Sequence, residues 1–166
     1  MKRPSIILLS AFALVFTLAG ASAARDGADL RPLSPPSGAK TVIQVYKSPT
    51  CGCCTSWVEH IRDSGFQAEV IDVTDEALQQ RKSKLGVGPR LASCHTAIVN
   101  GYVVEGHVPA ADVKRLLAEG PDARGLIVPG MVPGSPGMEQ GGVTKPYDVL
   151  LLAKDGSTTV YSHHGD

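Results

Sequence analysis

The chain has 166 residues, and its 16 lysines and arginines balance 16 aspartates and glutamates, so the formal net charge is zero. A neutral chain lacks the positive field that collects phosphates, which excludes a strongly basic nucleic-acid-binding protein. A hydrophobic content of 43% with 19% charged residues excludes a disordered chain and a polytopic membrane protein. The length suits one domain of ordinary size.

The first 23 residues have the composition of a secretory signal peptide. Lys2 and Arg3 precede an apolar stretch at 6–19, and small residues at 21–23 form a cleavage site. The apolar stretch is shorter than the roughly 20 residues that a membrane-spanning helix needs. We therefore predict removal of residues 1–23 and a periplasmic location without a membrane anchor.

The rest of the chain is predicted to form one α/β domain over residues 41–166, after a flexible, proline- and glycine-rich lead-in at 24–40. Runs of β-branched residues predict strands, and apolar residues at helical spacing predict helices. Their order is β-α-β-α-β-β-α, with strands at 41–46, 67–73, 96–99 and 102–105. Two βα units, a hairpin and a closing helix are what a thioredoxin-like domain requires.

The part of the domain after residue 120 has a different composition. Residues 121–145 are rich in glycine and proline and are predicted to form a long loop that carries Met131 and Met138. Residues 146–162 are predicted to form a β-hairpin around an Asp-Gly turn. The fold class predicted from the residues is therefore α/β, with this loop and hairpin as additions.

Three of the four cysteines lie within four residues, as Cys51-Gly52-Cys53-Cys54, between the first predicted strand and the first predicted helix. Backbone N–H groups at the start of a helix stabilise thiolates. Three thiols on one turn can hardly all bind one ion in good geometry, but bridging thiolates can hold a cluster of soft monovalent ions. Soft sulfur ligands select Cu(I), with zinc as the usual competitor, and silver suits the same ligands.

Two other interpretations of the cysteines stay open. Cys51 and Cys54 have the spacing of a redox-active pair, in which Cys51 is the attacking thiolate and Cys54 the resolving thiol. Alternatively, the four cysteines form structural disulfides, for which three pairings exist. A disulfide between Cys53 and Cys54 would strain the peptide between them, so it would be a poor structural crosslink.

Three further residues are candidates for the same site. Cys94 lies just before the third predicted strand, which a thioredoxin-like fold places opposite the cysteine turn. His107 lies before the third predicted helix, in a loop that borders the same surface, and a neutral imidazole is a good copper ligand. His95 adjoins Cys94, but adjacent residues of a strand point to opposite faces, which argues against His95 as a ligand.

Other side chains give less specific signals. The thioethers of Met131 and Met138 suit Cu(I) and could close over the site, or could anchor the loop by filling an apolar gap. Trp57 is expected in the core, and His163 and His164 are expected to be solvated. A local run of basic residues is expected to form a solvated face: Arg81, Lys82, Lys84 and Arg90.

Four separate motifs resemble, in order, the CopG-type periplasmic copper proteins. They are 46–54 (YKSPTCGCC), 92–97 (ASCHTA), 105–110 (EGHVPA), and 128–131 (VPGM) with 134–139 (GSPGME). The resemblance covers residues 41–152. It implies a thioredoxin-like fold, with a central mixed sheet flanked by helices, and a role in copper resistance.

The resemblance also implies a polynuclear Cu(I) site, with Cys51, Cys53, Cys54 and Cys94 as the sulfur ligands. It further implies interconversion of Cu(I) and Cu(II), which would make the protein a copper oxidoreductase. The expected partners are copper ions and, for handover or redox exchange, periplasmic copper export or electron-transfer proteins. No nucleic acid is expected as a partner.

Overall fold

The structure is a computed structural model that describes residues 40–165. Its elements run in the order β1 (Val42–Lys47), α1 (Gly52–Asp63), β2 (Gln67–Asp72), α2 (Asp75–Lys84), β3 (His95–Val99), β4 (Tyr102–Glu105), α3 (Ala110–Glu119), β5 (Gly125–Ile127), a short 3-10 turn (Gln140–Gly142), β6 (Tyr147–Leu152) and β7 (Thr158–His164). The strands form a seven-stranded sheet in the order β2-β1-β3-β4-β5-β6-β7. The predicted α/β class, with a mixed sheet and helices, is confirmed.

The first four strands follow the predicted order of elements. β1 pairs in parallel with β2, which it reaches through the crossover helix α1, and pairs antiparallel with β3. β3 and β4 form a hairpin at Asn100 and Gly101, where both residues have positive φ, as a tight hairpin turn requires. Because β1 ends at Lys47 beside the start of β3, the cysteine turn and Cys94 lie at the same end of the sheet.

Part of the predicted loop at 121–145 instead forms a strand. β5 pairs in parallel with β4 and antiparallel with β6. A glycine is required where β5 approaches β4, because a Cβ on Gly125 would lie 1.7 Å from the carbonyl oxygen of Val103. β6 and β7 pair as a hairpin where the sequence predicts one at 146–162, and β7 continues to His164.

The sheet is covered on both faces. Apolar side chains of α1 and α3 pack into one cluster with the sheet, including Ile61 and Leu116. Trp57 is fully buried in this cluster, as predicted, and its indole N–H donates to the carbonyl oxygen of Val108 at 2.9 Å. On the opposite face, Lys82 of α2 donates a hydrogen bond from its Nζ to Oγ1 of Thr96 in β3. Successive residues of a strand point to opposite faces, so neighbouring residues of β3 face α1 and α3 on one side of the sheet and α2 on the other.

Two helices begin with different kinds of cap. In α2, Oγ1 of Thr74 accepts the N–H of Ala77 at 3.2 Å. The N-cap of α3 is Pro109, which has no side-chain acceptor, and Nε2 of His60 accepts the N–H of Ala110 at 3.0 Å instead. His60 therefore caps α3 from α1 and joins the two helices.

The predicted signal peptide at 1–23 and all but the last residue of the lead-in at 24–40 lie outside the described residues. The domain predicted at 41–166 is described up to residue 165. Within residues 40–165, no helix combines the length and the hydropathy that crossing a bilayer needs.

Candidate metal centre

The start of α1 carries three of the cysteines. Cys51 is the N-cap of this helix, and its Sγ accepts the N–H of Cys54 at 3.3 Å. Cys51 and Cys54 are joined by a disulfide, which is the pairing that their spacing favours for a redox pair. Cys54 is fully buried, whereas Cys51 is partly exposed. The structure therefore describes the oxidised state of this pair.

Cys53 and Cys94 are free and lie next to the disulfide. The Sγ of Cys53 is 3.5 Å from that of Cys51 and 3.9 Å from that of Cys94. All four sulfur atoms lie within 4.8 Å of one another. The fold thus brings together the four cysteines that the sequence singles out, across a separation of 41 residues between Cys53 and Cys94.

His107 contacts Cys94 from the loop before α3, in a second group of potential metal ligands that consists of Cys94, His95 and His107. Its Nε2 is 3.0 Å from the Sγ of Cys94, and its Nδ1 is 2.8 Å from the carbonyl oxygen of Pro136. Because a carbonyl oxygen can only accept, Nδ1 carries the proton, and the lone pair of Nε2 in the neutral ring faces the sulfur. Burial lowers the pKa of His107, which favours this neutral form.

His95 also lies against Cys94, contrary to the argument from strand alternation. Its Nδ1 is 3.4 Å from the Sγ of Cys94, and its ring packs 4.4 Å from Trp57 and 5.1 Å from His107. The alternation rule fails here because Cys94 precedes β3 and does not follow strand geometry. Burial, followed by the neighbouring His107, lowers the pKa of His95 well below its usual value. Among the described residues, its Nε2 has no hydrogen-bond partner.

The thiol of Cys94 is held in its protonated form. Burial, and then the nearby Cys53, raise the pKa of Cys94 to about 12. A soft metal ion that binds this sulfur must displace its proton.

A buried ion pair supports the segment that carries Cys94. The Nζ of Lys82 lies 2.5 Å from Oε1 of Glu105 and 2.8 Å from Oγ1 of Thr96, which in turn donates to Oε2 of Glu105 at 2.5 Å. The backbone N–H of Ser93 donates to the same carboxylate at 2.6 Å. The prediction that Lys82 belongs to a solvated face was wrong, because this side chain is 1% exposed.

The two loop methionines lie beside the cysteines. Met131 and Met138 line a cleft of about 350 Å³ together with Gly52, Cys53 and Pro133. Met131 is 58% exposed, so it does not fill an apolar gap, whereas Met138 is partly buried. The structure therefore places both thioethers near the free Cys53.

The terminal histidines have carboxylate partners in another part of the sheet. Nδ1 of His163 is 2.7 Å from Oδ1 of Asp148, and Nε2 of His164 is 2.6 Å from Oδ2 of Asp112. His163 is exposed, as predicted, but His164 is partly buried and stacks on Tyr147. Neither belongs to the two groups of potential metal ligands found among the described residues.

Two solved structures similar to this chain are of the copper resistance protein CopG. Form 2 of that protein is 39% identical over 76% of this chain and 100% of its own length, with a TM-score of 0.71. Form 1 is 39% identical over 77% of this chain and 100% of its own length, with a TM-score of 0.71. The chain belongs to the CopG family of copper resistance proteins. The resemblance seen in its four sequence motifs is thereby confirmed.

A family model described as "Protein of unknown function, DUF411" matches residues 91–138. This segment includes Cys94, His107 and both loop methionines, but not the cysteines of α1. No curated protein matches the chain at a significant level. The CopG relationship, which spans most of the domain, is therefore the more informative comparison.

Proposed function

We propose that this protein binds Cu(I) as a polynuclear thiolate cluster and contributes to copper resistance in the periplasm. The proposed ligands are the four cysteines and His107: Cys51, Cys53, Cys54, Cys94 and His107. We further propose that the domain is thioredoxin-like. The sheet order β2-β1-β3-β4, with β1 and β2 parallel and a cysteine pair at the start of α1, supports that assignment.

The convergence of four sulfur atoms within 4.8 Å is the observation that carries the proposal. Thiolates and a neutral imidazole are ligands that Cu(I) accepts readily, and thiolates can bridge two ions. The donor set contains no carboxylate, which distinguishes it from sites that favour hard cations. The relationship to copper resistance proteins favours copper over zinc as the cargo.

Redox exchange would use the Cys51–Cys54 pair. Two Cu(II) ions would each accept one electron from the two reduced thiols, which would join as a disulfide and release two protons. The products are two Cu(I) ions, for which Cys53, Cys94 and His107 remain as donors. A periplasmic electron-transfer partner must return two electrons and two protons to the disulfide before all four cysteines can bind again. The disulfide in this structure supports such a cycle.

Anaerobic titration of the reduced protein with Cu(I), against a chromogenic chelator, tests the cluster. We expect several Cu(I) ions per wild-type chain and at most one per chain of Cys53→Ser, because Cys53 lies between the disulfide pair and Cys94. Thr55→Ser, an exposed position on the same helical turn, is the matched control and should bind as the wild type does. Unchanged stoichiometry in Cys53→Ser would overturn the cluster.

A second candidate function is thiol–disulfide exchange by Cys51 and Cys54, which the observed disulfide favours. Cys51 is the partly exposed sulfur of the pair and would be the attacking thiolate. This function predicts disulfide reductase or oxidase activity in metal-free protein that survives Cys53→Ser. An absence of activity in metal-free wild type and variant would reject it.

The periplasmic location follows from the predicted signal peptide. N-terminal sequencing of the protein exported from the native host should begin at Ala24. A chain that still begins at Met1 would contradict this location. In the periplasm, the proposed partners are copper export and electron-transfer proteins, which would receive the ion or supply electrons.

A further inference from the structure

We propose that the loop at residues 129–138 determines which thiols can reduce the Cys51–Cys54 disulfide. The loop covers the surface on which an extended polypeptide would lie, so the electron donor presents its thiol at a chain end or on a protruding turn. The inference rests on the redox cycle of the proposed function. It names the kind of partner that returns electrons to the disulfide.

On the side of Cys94, the loop already occupies backbone groups beside the disulfide. The sulfur of Cys94 lies within 4.8 Å of both disulfide sulfurs. Just before it, the carbonyl oxygen of Ala92 accepts the N–H of Gly130 at 3.1 Å, and the hydroxyl of Ser93 donates to the carbonyl oxygen of Gly130. A protein that presents its sulfur within an extended strand gains affinity from main-chain hydrogen bonds of this kind. Here the chain's own loop makes them instead.

On the side of α1, the loop lies directly on the helix backbone. A Cβ on Gly137 would lie 2.7 Å from the backbone nitrogen of Trp57 and 2.8 Å from the carbonyl oxygen of Cys53. The preceding carbonyl oxygen, of Pro136, accepts the N–H of His107 at 2.8 Å. A second chain could therefore enter on this side only by displacing the loop.

Hydrogen bonds within the loop oppose its displacement. The N–H of Gly134 donates to the carbonyl oxygen of Met138 at 3.0 Å, and the N–H of Met138 donates to the carbonyl oxygen of Ser135 at 2.8 Å. The hydroxyl of Ser135, a fully buried residue, donates to the carbonyl oxygen of Val132 at 2.7 Å. Because the loop is internally paired and buried at its centre, a strand that displaces it must break several hydrogen bonds.

The exposed approach to the disulfide crosses the turn before α1. Pro49, Thr50 and Gly52 are exposed there, and Cys51 is partly exposed. Pro49 has no N–H, and the N–H of Cys51 already donates to the carbonyl oxygen of Ser48 at 3.1 Å. This side therefore gives a thiol access to Cys51, but these two positions offer no N–H with which an approaching strand could pair.

Reduction from this side consumes two thiols of the donor. The first attacks Sγ of Cys51 as a thiolate, the bond between Cys51 and Cys54 breaks, and a mixed disulfide of the donor with Cys51 forms. The sulfur of Cys54 leaves as a thiolate and takes up a proton. The second donor thiol then attacks the donor sulfur of the mixed disulfide, which releases Cys51 as a thiol. The donor ends as a disulfide, and the chain gains two electrons and two protons.

The test compares two peptides of the same composition, acetylated and amidated, that carry one cysteine either at the C-terminus or at the centre. Each is mixed with the oxidised, metal-free protein, and loss of the Cys51–Cys54 disulfide is followed by alkylation and mass spectrometry. Rates are divided by those of the same peptides with oxidised glutathione, which corrects for differences between their thiols. We expect the central cysteine to react about tenfold more slowly with the wild type, because its flanking chain must break hydrogen bonds of the loop.

Two glycine variants test whether the loop causes this difference. Gly137→Ala places a Cβ against the backbone of α1 and should lift the loop, so that the two normalised rates become similar. Gly141→Ala is the matched control, because its φ is 81° against 82° at Gly137 and nothing lies within 4 Å of its Cβ position. It should keep the wild-type difference. Ser93→Ala, which removes the hydroxyl contact with Gly130, loosens the other end of the loop and serves if Gly137→Ala does not fold.

The wild-type comparison is decisive even without the variants. Equal normalised rates for the two peptides would overturn the inference and leave the redox cycle intact. A difference that persists unchanged in both Gly137→Ala and Ser93→Ala would also overturn it, because the loop would then not be its cause. A wild-type chain in which Cys51 and Cys54 never pair would reject the redox cycle of the proposed function, and with it the donor inferred here.

Discussion

Two sets of buried polar side chains adjoin Cys94, and they differ in how completely their polar atoms are paired by hydrogen bonds. On one side, the carboxylate of Glu105 receives hydrogen bonds from Lys82, Thr96 and the N–H of Ser93. On the other side, the imidazoles of His95 and His107 approach the sulfur of Cys94, and Nε2 of His95 has no partner among the described residues.

The difference indicates that the first set supports the fold and that the second set is suited to binding a ligand. The Lys82–Glu105 side is charged but fully paired, so it fixes a backbone segment and offers no donor to a ligand. On the histidine side, Nε2 of His95 has no partner among the described residues and Nε2 of His107 meets only the sulfur of Cys94, so imidazole nitrogen is present where a metal ion could bind. The same short segment at Ser93 and Cys94 joins the two sides. We infer that stability is concentrated on the first side and ligand binding on the second.

The largest expected effect comes from breaking the charged side. Lys82→Met leaves the carboxylate of Glu105 buried without its cation, which should lower the free energy of unfolding by about 3–5 kcal/mol. Urea denaturation of the metal-free protein measures this change. Lys84→Met, an exposed lysine two residues along the same helix, is the control and should change stability by less than about 0.5 kcal/mol. Equal effects of the two substitutions would show that the pair does not support the fold.

A smaller loss is expected where the loop that carries Met131 and Met138 meets α1. Gly137→Ala places a Cβ against backbone atoms of Trp57 and Cys53, at a φ of 82°. Overpacking of this kind should cost about 1–3 kcal/mol in thermal or urea unfolding. Gly141→Ala is the matched control, because its φ is 81° and nothing lies within 4 Å of its Cβ position. If both variants lose the same stability, the contact with α1 is unimportant and only the φ matters.

On the histidine side, removal of a polar atom should not weaken the fold. His95→Phe keeps a ring against Trp57 and removes the unpaired Nε2, so the metal-free protein should gain up to about 1 kcal/mol of stability. Urea denaturation at neutral pH measures the change. A loss as large as that expected for Lys82→Met would contradict the assignment of this side to binding.

The smallest expected effect concerns the cap of α3. His60→Ala should lower stability by about 0.5–1 kcal/mol at pH 7, because the N–H of Ala110 loses its acceptor. Burial lowers the pKa of His60 below 6.5, so the unfolded chain takes up a proton first as pH falls. The contribution is therefore complete above pH 6.5 and is lost as pH falls through the lowered pKa. Glu59→Ala, exposed on the same helix, is the control. An NMR titration in which the pKa of His60 lies above 6.5 would contradict this contact.

The sequence predicts the first four strands well because their signals are local. The β-branched run of β1, the Asn-Gly turn before β4 and the threonine cap of α2 each act within a few residues. β5 has only three residues within a glycine- and proline-rich segment, so it is too short to show the alternation of apolar and polar residues that predicts a strand. Its pairing with β4 depends on the close approach at Gly125, which is a tertiary contact.

The candidate site also combines features that local sequence signals predict with features that depend on tertiary contacts. The spacing of the cysteines predicts their convergence at the end of β1, since CxxC pairs and strand ends have known geometry. The burial of Lys82 could not be predicted, because its partner Glu105 lies 23 residues away and a lysine in a polar helix ordinarily faces solvent. The alternation of a strand does not predict the position of His95 relative to Cys94, because β3 begins at His95 and Cys94 precedes it.

X-ray absorption at the copper edge, on reduced wild-type protein loaded anaerobically and desalted, tests the central claim most directly. We predict Cu(I) with mainly sulfur ligands and a short copper–copper vector, because bridging thiolates bring the ions together. A single copper ion without a copper–copper vector, or copper bound only by nitrogen and oxygen, would contradict the proposed cluster.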